Sequence, residues 1–130
     1  MLSNLLLRQA TEHPRSPAVI AEDRSLSWAD LKEQVDCLAS AFVAQGIHAG
    51  DRAAILLPNC PEFVIAFLAL ARIGAIALPL STECKAEEIR AIVKDSCTNA
   101  LIADDRFAEL SCNRLRLARL GRLRRDSLRR

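Results

Sequence analysis

A chain of 130 residues holds one domain or part of one, and a hydrophobic fraction of 51% excludes a disordered polypeptide. Aromatic residues make up only 4% and tyrosine is absent, so the core must be built from Ala, Leu, Ile and Val. The net charge of +2 hides a division: residues 1–105 carry nine basic and fourteen acidic side chains, and residues 106–130 carry nine arginines and two acids.

The first predicted element is a helix over 3–12, capped by Ser3 and ended by the His13-Pro14 step, because the residue before proline avoids the helical region. Residues 18–22 and 25–28 then read as two strands around Asp23-Arg24, close enough for a hairpin. Ser27 and Asp30 have the spacing of a capping box, so a helix should run from about 28 to 45. Leu31, Val35, Leu38, Ala39 and Phe42 mark its buried face, and Gly46 is its natural stop.

Residues 53–57 are apolar throughout, as in a central strand covered on both faces. Pro58-Asn59 breaks that strand, and Pro61 suits the first turn of a helix over 60–73. Gly74 ends the helix, residues 75–78 form a second buried strand, and Pro79 closes it. The run 63–80 is long enough to suggest a membrane span, but Arg72 and Gly74 divide it into a buried helix and a strand. A helix over about 84–95 carries Ile89, Ile92 and Val93, and a strand at 100–103 follows.

The expected fold class is α/β. A β-α-β-α-β parallel-sheet core over about 53–103 is preceded by a helix, a short β-hairpin and a helix. The expected division is 1–105 as one partial domain and 106–130 as an Arg/Leu-rich basic tail, helical or disordered.

Cys37, Cys60, Cys84, Cys97 and Cys112 are odd in number and widely spaced, without a C-x-x-C pair. Reduced thiols of a cytoplasmic protein explain them better than a zinc site. Leu5 to Leu7 is too short for the core of a secretory signal, and Arg8 ends it.

Five strings carry a resemblance to a known family: Asp23 to Leu31, Gly46 to Arg52, Ala54 to Phe63, Arg72 to Leu80, and Ala86 to Ser96. In this order and spacing, over about residues 10–105, they resemble the N-terminal part of the AMP-forming, adenylate-forming synthetases, among them acyl-CoA synthetases. Ser81-Thr82 departs from the pattern, which often has Asn after the strand. The resemblance implies activation of a carboxylic acid by ATP as an acyl-adenylate, then usually transfer to coenzyme A. ATP, Mg²⁺ and coenzyme A are thus implied for the full-length family.

This chain lacks the family's phosphate-binding equipment. Adenylyl transfer needs charge stabilised on phosphate oxygens by a glycine-rich loop, a cation and Mg²⁺. The four glycines are Gly46, Gly50, Gly74 and Gly121, and no two are closer than four residues. The family's aromatic-Gly-x-Thr-Glu and ribose-binding Thr-Gly-Asp strings are also missing. No catalytic, cofactor-binding or metal residue is therefore expected, and the chain alone is expected to bind no cofactor and to be inactive.

The remaining candidates have structural explanations. His48 near Asp51 has the spacing of an acid–base pair, but a solvated turn explains it better. Glu87 and Glu88 favour a helix dipole, and Asn59 and Glu62 are placed to cap a helix start. The basic tail has two readings: an element binding anionic lipid or nucleic acid without base specificity, or a replacement of the family's normal continuation. A third function class is a non-catalytic module pairing with a separate synthetase chain through an exposed sheet edge.

Overall fold

The computed structural model describes residues 2–103 and, as backbone, residues 116–119. The chain order is α1 (Leu2–Glu12), β1 (Pro17–Ile20), β2 (Ser25–Ser27), α2 (Trp28–Ala44), β3 (Arg52–Leu56), α3 (Pro61–Ile73), β4 (Ile76–Pro79), α4 (Ala86–Asp95), β5 (Ala100–Ala103) and β6 (Arg116–Arg119). The expected helices and strands are all present. Ser3 lies inside α1 rather than capping it, since the helix already includes Leu2.

Strands β1 and β2 form an antiparallel pair with a bulge between Pro17 and Val19. The Ala21 N–H donates to the Arg24 carbonyl at 2.9 Å and closes the turn. The hairpin leads directly into α2 through a complete capping box. The Asp30 N–H donates to Ser27 Oγ at 3.1 Å, and the Ser27 N–H donates to Asp30 Oδ2 at 3.2 Å. Two of the orphan donors at the entry to the helix are thus satisfied.

Helices α2, α3 and α4 end in the same way. A residue in the left-handed region follows each: Gly46 (φ 86°), Gly74 (φ 77°) and Cys97 (φ 54°). The next N–H then reaches back five residues: Ile47 to the Phe42 carbonyl (3.0 Å), Ala75 to Leu70 (3.0 Å), Thr98 to Val93 (3.1 Å). This termination satisfies helix carbonyls and turns the chain toward the next strand. Cys97 does so without the conformational freedom of glycine.

Strands β3, β4, β5 and β6 form one parallel sheet in the order β4-β3-β5-β6. Side chains alternate across it. Ala53, Ile55, Ala100 and Ile102 join the larger core, with Leu6 of α1, Leu26 of β2, Leu31, Val35 and Phe42 of α2, and Ile65, Ala66 and Leu70 of α3. Ala54, Leu56, Leu101 and Ala103 face the other way and pack with Ile89 of α4. Helices α3 and α4 therefore cover opposite faces, as right-handed crossovers running in opposite directions require.

The backbone at 116–119 corrects one expectation. Helix or disorder was expected across the basic tail, but Arg116–Arg119 is a strand in register with β5, Ala100 opposite Arg116. The reading of 106–130 as an anionic-surface binder otherwise lies outside the described residues. Among the described residues no helix is long and apolar enough to cross a membrane, so the run 63–80 is divided between α3 and β4 as expected.

Candidate functional site

The connections of the sheet mark one place where a ligand crevice would form. From β3 the chain leaves through α3 toward β4, and from β5 it continues toward β6 on the other side. The carboxyl ends of β3 and β5 therefore flank a topological switch point, where open α/β sheets bind ligands. On the β3 side the residues that follow the strand at this end are Pro58, Asn59 and Cys60. The residues after Ala103 lie outside the described residues.

What this half of the crevice offers is limited. Pro58 and Asn59 are exposed, and Cys60 occupies the N-cap position of α3 without a side-chain cap. Burial pushes the Cys60 thiol above its ordinary pKa, and the Glu62 carboxylate adds to that; the N–H groups of Phe63 and Glu62 pull in the opposite direction. At neutral pH the group is a thiol rather than a nucleophilic thiolate.

The expected capping role of Asn59 and Glu62 is not what the fold uses. Glu62 instead pairs with Arg24 of the hairpin turn, Oε1 to Nη2 at 2.5 Å, with both side chains partly buried. The pair ties the β1–β2 turn to the start of α3. It also commits to a structural partner the cation that lies beside this helix N-terminus.

His48 and Asp51 lie at the opposite, amino end of β3. Asp51 Oδ2 accepts the His48 backbone N–H at 2.7 Å, and its Oδ1 accepts from Asn99 Nδ2 at 2.9 Å. Asn99 Oδ1 in turn accepts the Arg52 N–H at 3.1 Å. The carboxylate thus organises a turn and joins the entrances of β3 and β5, and the His48 side chain is exposed. Glu87 and Glu88 are exposed in the first turn of α4, as their dipole-favouring role implies.

A second concavity, of about 500 Å³, lies between α2 and α3 and is lined by Asp36, Ala39, Ser40, Val43, Arg72 and Ile73. Its charges are already used: Asp36 pairs with Lys32 at 2.6 Å and with Arg72 at 2.9 Å. It is far along α3 from the crevice end, beside the turn that precedes β4. Among the described residues no three His, Cys, Asp or Glu side chains are grouped to hold a metal ion.

The three polar ties Arg24–Glu62, Asp51–Asn99 and Asp36–Arg72 escaped the sequence reading. Each joins residues far apart in the chain, and no local spacing announces such a pair.

Comparison with known proteins agrees with this arrangement. Crotonobetaine/carnitine–CoA ligase of Salmonella typhimurium is 38% identical over 84 residues, which is 65% of this chain and 16% of the relative. O-succinylbenzoate coenzyme A synthetase of Bacillus subtilis, solved in complex with AMP, is 28% identical with a TM-score of 0.87. That match covers 92% of this chain and 32% of the other. The N-terminal subdomain of Klebsiella oxytoca NpsA shares the fold at 24% identity and a TM-score of 0.85, over 95% of this chain and 31% of that one. The chain thus spans about a third, or less, of the proteins it matches.

The profile of the AMP-binding enzyme family matches residues 6–126. It extends past residue 105, where the resemblance was expected to stop, and takes in most of the basic tail. On this match, the chain belongs to the family of AMP-binding enzymes.

Proposed function

We propose that this chain is the N-terminal scaffold of an acid-activating acyl-CoA ligase. The observation that carries the reading is the collinear family match over residues 6–126. In the overall reaction the carboxylate attacks the α-phosphorus of ATP, giving acyl-AMP with release of pyrophosphate, and the coenzyme A thiol then displaces AMP to leave a thioester. The coenzyme A ligases among the relatives support that second step.

The described residues do not fit a triphosphate. Gly46, Gly50 and Gly74 sit in turns at the amino ends of β3 and β4, away from the crevice. Arg24 is held by Glu62, and Arg72 by Asp36. No Gly-rich cradle of N–H groups with a free cation arises from such a set. The contribution of these residues is to build the sheet on which other segments place the nucleotide, Mg²⁺ and the acid.

A second reading is that the chain pairs with a separate, complementary synthetase chain. Both readings make the same statement about the isolated 130-residue protein. Incubated with ATP, Mg²⁺, labelled pyrophosphate and a panel of carboxylic acids, it should show no exchange above background. Acid-dependent exchange by the pure chain would refute the scaffold role. Co-purification of a larger adenylate-forming partner from the native host would favour pairing, and recovery of a lone chain would count against it.

A further inference from the structure

Strand β4 is the terminal strand of the four-stranded sheet among the described residues. Its ladder with β3 determines which of its backbone groups face outward. Ile76 N–H donates to the Asp51 carbonyl at 2.7 Å, and Leu80 N–H donates to the Ile55 carbonyl at 2.9 Å. In a parallel ladder the bonding residues alternate, so Ile76, Leu78 and Leu80 direct their N–H and C=O groups toward β3. Ala77 and Pro79 direct theirs away from the sheet. Proline has no N–H, so the outward side of β4 keeps a single donor, at Ala77.

Such an edge is otherwise suited to self-association. Ile76 is 51% exposed beside it, and no charged side chain occurs within Ile76–Pro79. Exposed apolar edges of this kind pair with copies of themselves unless a proline, a charge or a bulge prevents it. We infer that Pro79 is the gatekeeper that keeps the β4 edge from pairing with the β4 edge of a second copy of this chain. The same geometry works against docking of any partner by strand addition at β4. The inference stands independently of the reaction proposed above.

The Pro79→Ala variant restores the second outward donor while leaving the Leu80-to-Ile55 bond in place. Sedimentation velocity over a concentration series should show at least about a tenfold stronger self-association than the unaltered chain. Adding Ile76→Lys to that variant should return it to the starting behaviour. In the unaltered protein, the Ala77 amide should exchange with solvent at least about tenfold faster than those of Ile76 and Leu78, a readout that does not depend on the variant folding. Unchanged sedimentation of folded Pro79→Ala, no reversal by Ile76→Lys, or an Ala77 amide as protected as its neighbours would each overturn the inference.

Discussion

Replacing Phe42 by Ala is expected to remove about 3–5 kcal/mol of stability, the range for deleting a buried aromatic ring. Phe42 is fully buried, while Trp28, Phe63 and Phe67 are only partly so. The Phe42 side chain lies in the core that joins α2 to α3 and the sheet, and its carbonyl accepts the Ile47 N–H that ends α2. Domains of this kind are stable by roughly 5–15 kcal/mol in all, so the variant should melt about 10 °C lower or more, or fail to fold at neutral pH. Thermal and urea unfolding followed by circular dichroism would measure this. A loss below about 1 kcal/mol would mean that α2 does not pack as described.

Charge placed on the sheet should separate its centre from its edge. Ile55 in β3 is fully buried between the flanking strands and under the α2–α3 layer, whereas Ile76 in β4 is 51% exposed. Ile55→Asp puts a carboxylate in a low-dielectric core without a cation, at a cost of several kcal/mol, enough to unfold the chain. Ile76→Asp leaves the carboxylate in water and should change stability by no more than about 1 kcal/mol. Comparable losses for the two variants would contradict the strand order β4-β3-β5.

The fold was largely legible because local chemistry and tertiary structure agree over residues 23–103. Ser27 and Asp30 announce α2, Gly46 and Gly74 announce two helix ends, and Pro61 lies in the first turn of α3. Where the same structural device uses a different residue, the signal vanishes. Cys97 ends α4 in the left-handed region, yet nothing about a cysteine predicts that conformation. Strand β6 was hidden for a related reason: Arg116 and Arg119 flank Leu117 and Ala118 in a composition that reads as helix or coil until β5 supplies a partner.

The candidate site was legible mainly by exclusion. The sequence displays no phosphate-cradling loop. Glu62 illustrates why position alone misleads. Its place in the first turn of α3 suggests capping, but Arg24 reaches it from the hairpin, 38 residues earlier. Asp51 likewise looks like a catalytic partner for His48, until Asn99 and the His48 backbone N–H account for both its oxygens. Long-range pairing decides both cases, and a single sequence does not display it.

A segment exchange is the most direct test of the scaffold assignment. Residues 2–103 would replace the corresponding segment of O-succinylbenzoate coenzyme A synthetase from Bacillus subtilis, the 28%-identical relative. If this segment is a working scaffold of the family, the folded chimera should catalyse acid-dependent ATP–pyrophosphate exchange well above the same enzyme lacking the segment. A chimera that melts cooperatively yet shows no exchange would contradict the account.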